Sequence, residues 1–392
     1  MFQLSPSDQE SLTSFLCDLV RTPSPTGREG AVAERLAAEM RAVGLADVHV
    51  DKAGSVVGRL GTGQGPVLVY NGHMDNVGAG VRCDWRHDPF GAVVEEGVLY
   101  GRGACDMKGA LAAMVHGTKL LIQTQTPLSG TLYVVGVVQE ETCEGLAMRL
   151  LMETESLKPD FVLLGEPSNL QVSRGHKGRM AIRLTARGRA AHGSAPERGE
   201  NAIYKMARLA LGVEQLNSRL PADPFLGKGS ITLNVIAGGN ELNVIPDVCT
   251  AYLDRRLTLR EDEAGAVREI ALLAAREGIQ AEVEVMDYNA QSYNGYPLRA
   301  RRVFNAWTIA EDHPLVQAIA AAAETVLEHK PAITHWAFST DGAYTAGVAG
   351  IPTVGFGPGE ERFAHTVDEQ IRLADVFAAA QVYAGLAQRL LG

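Results

Sequence analysis

Two histidines and several carboxylates stand near the ends of apolar runs in this sequence, where they could bind a metal ion. His73 and Asp75 close the segment VLVYNGHMD. Residues two apart on a strand face the same way, so Asp75 could accept the ring N–H of His73 and raise its basicity as a ligand. An isolated His-x-Asp motif is more often structural than functional, so other acidic residues are needed to support a metal site.

Three further carboxylates lie in suitable places. Asp106 lies in the glycine-rich GRGACDMKGA, where tight turns would let it approach a cation, although helix capping is the ordinary alternative. Glu140 and Glu141 end the most apolar strand, and adjacent carboxylates repel each other unless a cation compensates. On a strand they would face opposite ways, so one could bind a metal and the other a substrate water. A solvated loop is the alternative.

Glu166, in LLGEPS, and His365, after the turn-rich GPGEER, can reach the same sheet edge. Together with His73 and His365, the three carboxylates Asp106, Glu141 and Glu166 carry a charge of −3, which suits two divalent cations plus a hydroxide better than one cation. The sequence therefore predicts a dinuclear site, bridged by Asp106, for Zn²⁺ or alternatively Co²⁺ or Mn²⁺. Its predicted ligands are His73, Asp106, Glu141, Glu166 and His365.

Short apolar runs would position these residues. Residues 67–73, 131–141, 161–166 and 353–359 are typical of buried strands, with helical segments between them. We therefore expect an α/β fold with a mostly parallel sheet flanked by helices, and a site outside the carboxyl ends of the strands. Gly357 and Gly359 follow the last run, and their amides could bind a substrate carboxylate.

In residues 178–288 the pattern of apolar residues changes and predicts strands and helices in the order β-α-β-β-α-β. That order is typical of a ferredoxin-like α+β layer. We predict an inserted domain over 178–288 between the two parts of a catalytic domain, 1–177 and 289–392. Residues 289–310 are expected to be irregular, before helices over 311–328 and 371–391.

The composition excludes several classes of function. The 392 residues include 46 acidic and 36 basic side chains, which give a net charge of −10. The sequence has no block of five or more like charges, so nucleic-acid binding is not expected. No apolar run approaches the roughly 18 residues of a membrane span, and the start lacks a signal-peptide pattern, so we expect a cytoplasmic protein. The five cysteines never form CxxC, which argues against a disulfide framework or a thiolate zinc site.

The ordered motifs resemble the dizinc amidohydrolases, a family that includes acetylornithine deacetylase, succinyl-diaminopimelate desuccinylase, aminoacylase and the glutamate carboxypeptidases. GHKGRM, HGSAPERGENAI and FLGKGS are most similar to the YgeY-type hydrolases linked to selenium metabolism. The motifs that carry the family resemblance are GHMD (72–75), GRGACDMKGA (101–110), QEET (139–142), GEPS (165–168), AAHGSAPERGENAI (190–203), NVIPDVCTAYLDRR (243–256) and His365.

The resemblance implies hydrolysis of an amide in N-acyl amino acids or small peptides. It implies that Glu140 is the general base and that Asp75 orients His73. The implied metal ligands are His73 and Glu166 for one ion, Glu141 and His365 for the other, and Asp106 for both.

The resemblance also implies that residues 178–288 form a lid that makes a homodimer. His192 matches a lid histidine that reaches the partner's active site and stabilises the oxyanion, whereas a surface histidine at a strand end is the alternative. Asn243 and Arg256 match positions that hold the substrate carboxylate, although Arg256 could simply pair with Asp254.

Three functions remain in competition. A deacylase of N-acyl amino acids leads, and a dipeptidase or carboxypeptidase differs from it only in what fills the pockets around one amide. A catalytically silent metal- or ligand-binding protein is the candidate from another class. The presence of Glu140 beside all five predicted ligands argues against it.

Overall fold

The structure is a computed structural model that describes residues 2–62 and 64–392 of the chain. Single helical turns lie at Arg82–Asp84, Pro196–Arg198 and Glu361–Phe363, and an irregular turn at Ala104–Lys108. The α-helices are α1 (Pro6–Arg21), α2 (Gly30–Ala42), α3 (Gly109–Gln123), α4 (Leu146–Thr154), α5 (Ala202–Arg219), α6 (Glu263–Arg276), α7 (Pro314–Leu327), the short α8 (Gly342–Thr345) and α9 (Leu373–Leu391).

The strands fall into one large sheet, one smaller sheet and several short pairings. In chain order they are β1 (Ala46–Val50), β2 (Val56–Gly61), β3 (Val67–His73), β4 (Val93–Glu95), β5 (Val98–Tyr100), β6 (Thr131–Val137), β7 (Phe161–Leu164), β8 (Val172–His176), β9 (Gly178–Arg187), β10 (Ala191–His192), β11 (Ala222–Asp223), β12 (Gly227–Lys228), β13 (Ser230–Gly238), β14 (Val244–Ile245), β15 (Val248–Leu257), β16 (Ala281–Val285), β17 (Asp287–Gln291), β18 (Pro297–Arg301), β19 (Val303–Phe304), β20 (Trp307–Thr308), β21 (Ile333–Trp336), β22 (Thr353–Gly355) and β23 (Gln370–Arg372).

The large sheet has a parallel centre and antiparallel edges. Its order is β1-β2-β6-β3-β7-β22-β8-β20, with β21 also paired to β8. The strands β6, β3, β7 and β22 run parallel, whereas β1, β2, β8 and β20 join through antiparallel pairs. The predicted α/β fold is confirmed. The sheet is nevertheless mixed, because short connections such as the one from β1 to β2 permit only antiparallel pairing.

Helices cover the large sheet, and α3 is the most deeply buried of those near the site. Its sequence, GALAAMVHGTKLLIQ, is apolar nearly all round, which is typical of a helix inside a core. It packs against α9, and a Cβ atom at Gly117 would lie 2.6 Å from the carbonyl oxygen of Ala380. The glycine therefore permits a close approach of the two helices just behind the site.

The predicted strands occupy the sheet centre, but three of them end earlier than expected. The strand β6 ends at Val137, β7 at Leu164 and β22 at Gly355. The polar residues that follow them lie in turns at the carboxyl edge of the sheet.

A second layer follows β8 along the chain. Its elements come in the order β9, α5, β13, β15, α6 and β16, and its strand order is β13-β15-β9-β16 with antiparallel pairing. Its apolar side chains, including Met180, Leu209 and Ile270, form a hydrophobic cluster distinct from that of the large sheet. This arrangement is that of a ferredoxin-like layer.

The prediction of irregular structure over 289–310 is wrong in part. The strands β17 and β18 form an antiparallel hairpin whose turn contains Asn294 and Gly295, the latter at φ +87°. Tyr288 and Leu298 are buried while their neighbours are exposed, the alternation of a strand with one covered face.

Within the described part of the chain, every helix is too short or too polar to cross a membrane.

Candidate active site

A cavity of about 270 Å³ opens at the carboxyl edge of the large sheet, against the start of β9 and the end of β15. It contains all five predicted ligands together with Glu140 and Arg256. The lining residues are His73, Asp106, Glu140, Glu141, Glu144, Glu166, Arg179, Arg256, Phe338, Ser339, Glu361, Ala364 and His365.

The five predicted ligands meet in two groups that share Asp106. Each group has its ligand atoms within 4.8 Å of one another. In the first, Nε2 of His73 lies 3.0 Å from Oδ1 of Asp106 and 3.9 Å from Oε1 of Glu166. In the second, Nε2 of His365 lies 3.2 Å from Oδ2 of Asp106 and 2.9 Å from Oε2 of Glu141. The two oxygens of Asp106 therefore face different histidines, as a bridging ligand requires.

Neighbouring charges in this site shift one another's pKa values. Burial raises the pKa of Glu166 well above its ordinary value, and the nearby carboxylates of Asp106 and Glu141 raise it further. Hydrogen bonds with Asp106 and Glu141 raise the pKa of His365 to about 10. Burial opposes ionisation of Asp106, but its hydrogen bonds with His365 and His73 prevail and lower its pKa. Imidazoles and carboxylates in this arrangement are donors that suit divalent transition metals.

A buried ion pair holds the backbone around Asp106. Oε1 of Glu369 accepts the N–H groups of Cys105 and Asp106, each at 2.9 Å. Its other oxygen accepts from Arg102 at 2.5 Å, and both side chains are buried. Sequence reasoning missed Glu369, because nothing local connects it with a residue more than 260 positions earlier.

Asp75 contacts His73 in a way that differs from the prediction. Because β3 ends at His73, the strand alternation does not extend to Asp75. Nδ1 of His73 donates to the main-chain carbonyl oxygen of Asp75 at 2.9 Å, whereas the carboxylate lies at 3.7 Å. The carboxylate instead accepts the N–H of Glu140 at 3.1 Å and the hydroxyl of Thr26 at 2.8 Å.

Glu140 and Glu141 lie in a turn, so the predicted separation of their side chains by strand alternation is wrong. Gln139, just before them, has φ +55°, which ends the extended backbone. Glu140 is nonetheless buried while Glu141 is half-buried beside His365. Among the residues that the structure describes, Oε1 of Glu140 has no hydrogen-bond partner. Burial raises the pKa of Glu140 well above its ordinary value, and Glu166 adds to this effect.

Two predicted site residues of the second layer, the oxyanion-stabilising His192 and the substrate-binding Asn243, lie outside the cavity. His192 is exposed, and its Nδ1 lies 2.7 Å from the hydroxyl of Ser194. Asn243 is exposed as well, and its carbonyl oxygen accepts the N–H of Gly193 at 2.7 Å. Neither residue reaches the site of its own chain.

The glycines predicted to bind a carboxylate are buried and do not line the cavity. The N–H of Gly357 donates to the hydroxyl of Ser168 at 2.9 Å. A Cβ atom at Gly357 would lie 2.3 Å from two carbonyl oxygens, and one at Gly359 would lie 2.6 Å from Sγ of Cys105. Close packing accounts for both glycines, and the Gly357 amide is not available to a substrate.

Arg256 does line the cavity, and it makes the ion pair with Asp254 that the sequence suggested as its alternative role. Its Nε donates to Asp254 at 2.6 Å. Arg179 donates to Asp254 at 3.0 Å and to Glu144 at 2.9 Å. We call these four residues the arginine cluster: Glu144, Arg179, Asp254 and Arg256.

The comparisons with known proteins agree with this fold. The model of peptidase family M20/M25/M40 matches residues 69–389. The chain belongs to this family, whose members are metal-dependent hydrolases. The family resemblance inferred from the motifs is thereby confirmed.

Three similar proteins illustrate the relationship. The "Uncharacterized protein YgeY" of Escherichia coli (strain K12) is 38% identical over 380 residues, covering 96% of this chain and 94% of the relative. A succinyl-diaminopimelate desuccinylase of Alkalilimnicola ehrlichii is 30% identical over 383 residues, covering 95% and 96%. The structure of Bacillus subtilis YXEP, described as a dinuclear metal binding peptidase from the M20 family, matches with TM-score 0.70, 16% identity and 99% coverage of both chains.

Proposed function

We propose that this protein hydrolyses the amide bond of N-acyl amino acids, with two divalent cations and Glu140 as the general base. One observation supports the proposal. Glu140 is buried, one of its oxygens has no hydrogen-bond partner among the described residues, and it lines the same cavity as the two ligand groups that share Asp106. Separate roles for a metal site and a carboxylate base are the chemical requirement for metal-assisted hydrolysis.

The donor set fits two zinc ions, since imidazole and carboxylate ligands suit Zn²⁺ and also accept Co²⁺ or Mn²⁺. His73 and Glu166 would hold one ion, Glu141 and His365 the other, and Asp106 both. The description of Bacillus subtilis YXEP as a dinuclear metal binding peptidase supports the proposal of two ions. When bound, the ions would polarise the amide carbonyl and acidify a water molecule.

The side chains of the protein would do the rest of the chemistry. Oε1 of Glu140 would accept the proton of the attacking water and then deliver it to the leaving amine nitrogen. The carboxylate of Asp75 would accept the N–H of Glu140 and so keep Glu140 in place. The main-chain carbonyl oxygen of Asp75 would keep His73 in one tautomer. Arg256 would hold the substrate carboxylate. Ser339, whose buried hydroxyl has no partner within residues 2–62 and 64–392, would donate to a polar substrate group.

A dipeptidase or carboxypeptidase is the second candidate, favoured by the peptidase description of Bacillus subtilis YXEP. The same groups would cleave a peptide bond if the acyl pocket accepted an amino acid. The desuccinylase of Alkalilimnicola ehrlichii supports the first candidate at higher sequence identity.

We further propose that residues 178–288 are an inserted lid domain, between catalytic parts 1–177 and 289–392, and that the lid makes a homodimer. The edge strand β13 and the helix α5 expose apolar side chains, including Tyr204, Leu211, Val235 and Ile236. An unpaired edge beside apolar surface favours association with a second copy. In the dimer, His192 of the partner subunit would stabilise the oxyanion, and Asn243 of the partner subunit would contact the substrate.

The test is amine release from a panel of N-acyl amino acids and dipeptides, with protein loaded with Zn²⁺ or Co²⁺. We expect wild-type protein to cleave N-acyl amino acids, and Glu140→Gln to lose about 10²- to 10⁴-fold in kcat. Metal analysis should find two ions per chain in both proteins. The control Glu153→Gln alters an exposed carboxylate on α4, whose side chain is 57% exposed, and should keep the wild-type rate.

The outcomes separate the candidates. Cleavage of dipeptides but not acyl amino acids would select the peptidase. Undiminished turnover by Glu140→Gln would refute its role as base, and a wild-type protein that binds two ions but cleaves nothing would favour a silent binding protein.

A further inference from the structure

The lining of the cavity includes two arginines that are neighbours on adjacent strands. Arg179 on β9 and Arg256 on β15 are register partners in the antiparallel sheet. Like charges at such positions repel each other, so the arrangement requires compensating carboxylates. Asp254, two residues before Arg256 on the same face, supplies one of them.

Glu144 supplies the second carboxylate, and it comes from the other layer of the molecule. It lies in the turn between β6 and α4, and its side chain is 5% exposed. Oε1 accepts from Arg179 at 2.9 Å, while Oε2 is buried and without a hydrogen-bond partner in the described chain. Glu144 also lines the cavity. A buried carboxylate with one unsatisfied oxygen lowers the stability of the fold, so its presence beside the cavity points to a role other than stability.

The arginine cluster is therefore neutral, with two positive and two negative side chains. Arg179 binds two carboxylates, Glu144 and Asp254, whereas within the described residues Arg256 binds only Asp254, through Nε at 2.6 Å and Nη2 at 3.3 Å. The two arginine side chains are similarly exposed, at 26% and 25%. A substrate carboxylate could bind Arg256. A second substrate carboxylate would find Arg179 already paired and would face the charge of Glu144.

We propose that Glu144 is a specificity-determining residue that restricts the enzyme to substrates with a single carboxylate. On this proposal, which rests on the proposed amide hydrolysis, the substrates are N-acyl amino acids with an uncharged acyl group and an uncharged side chain. Removal of the Glu144 charge frees Arg179 to bind a second carboxylate.

The experiment compares kcat/KM for one monoanionic substrate, N-acetylalanine, with two dianionic ones, N-succinylalanine and N-acetylglutamate. We expect wild-type protein to favour the monoanion. In Glu144→Gln, the ratio of dianion to monoanion should rise by about tenfold or more, the effect of one added charge-assisted hydrogen bond. The double variant Glu144→Gln with Arg179→Gln should lose this gain. Glu144→Asp, which keeps the charge, should stay near the wild-type ratio.

A binding measurement keeps the proposal testable apart from turnover. Calorimetric titration of the metal-loaded proteins with succinate and with acetate should show a selective gain for succinate in Glu144→Gln, reversed in the double variant. If no protein hydrolyses any substrate but this pattern holds, the proposed function fails and the role of Glu144 stands. An unchanged ratio and unchanged succinate binding in folded Glu144→Gln, or a gain that persists without Arg179, would overturn it.

Discussion

Two consecutive amides of the turn that carries Glu140 are held by buried carboxylates. The N–H of Gln139 donates to Glu29 at 3.2 Å, and that of Glu140 donates to Asp75 at 3.1 Å. Asp75 is itself held by the hydroxyl of Thr26 at 2.8 Å. Gln139 keeps its unusual φ of +55° within this framework. The proposed base therefore depends on residues that never touch a substrate.

Thr26→Val removes one donor from this framework while it preserves the shape of the side chain. We expect kcat to fall by about tenfold with KM changed less than about twofold, because a buried oxygen of Asp75 loses its partner and Glu140 loses its fixed position. Metal content should not change. The control Thr325→Val alters an exposed threonine on α7 and should behave as wild type. A rise in KM at constant kcat, or loss of metal, would contradict a positioning role.

Individual site residues could be predicted from the sequence only where a local motif surrounds them. The five predicted ligands and Glu140 lie in short motifs rich in glycine or acidic residues, and the structure brings them into one cavity. Glu29, Glu144 and Glu369 act through partners that are distant in the sequence, so no local pattern marks them. Gly357 was misread because a glycine required for packing has the same sequence signature as one that exposes an amide.

Strands and helices were predictable in type because their apolar periodicity follows from which face is buried. Their ends were less predictable. The run TLYVVGVVQEE is apolar only as far as Val138, and the strand ends at Val137, so its polar end QEE belongs to the turn that follows. The hairpin of β17 and β18 was missed because its exposed positions carry charged and polar side chains that resemble a loop.

The end of β8 offers a test of how one buried histidine joins separate elements. Nδ1 of His176 accepts the N–H of Thr340 at 2.9 Å, and Nε2 donates to the carbonyl oxygen of Asn305 at 3.0 Å. Burial lowers the pKa of His176 from 6.5 to about 3. Below pH 6.5 the unfolded chain would bind a proton there that the folded protein excludes, so the free energy of unfolding should fall as the pH drops toward 3.

His176→Gln should reduce this pH dependence. Glutamine can keep both hydrogen bonds but binds no proton, so the fall in the free energy of unfolding between pH 6.5 and 4.5 should be smaller by up to about 1.4 kcal/mol per pH unit. Denaturant titrations at several pH values measure the difference between variant and wild type. His329→Gln, at an exposed histidine, should leave the slope unchanged. Equal slopes in His176→Gln and wild type would show that His176 does not titrate on unfolding.

At the scale of the whole molecule, the two layers have separate cores and meet at the cavity. The arginine cluster joins them, since Arg179 of β9 binds Glu144 beside the large sheet. The sequence indicated both layers, because the order of strand and helix segments changes over residues 178–288. It could not indicate the contact between them, which depends on single side chains from distant segments. The exposed position of His192 leaves the site of one chain without the histidine that the family resemblance implies.

Mixed dimers can decide whether His192 acts across the dimer. We expect Glu140→Gln and His192→Asn to be nearly inactive when each is prepared alone. After subunit exchange, a mixed dimer holds one site with Glu140 from one chain and His192 of the partner subunit. Random mixing should then restore about one quarter of the wild-type activity, because half of the dimers are mixed and each has one complete site.

Action within a single chain would give a different result. In that case each chain of a mixed dimer lacks either the base or the histidine, so exchange restores no activity. A monomeric mass in solution would exclude the dimer itself. Substitution of Val235 and Ile236 by serine, two exposed apolar side chains of the edge strand β13, separates these possibilities further. If β13 lies in the dimer interface, this variant should dissociate and lose the activity that depends on His192, while its metal content and its Glu140 site remain intact.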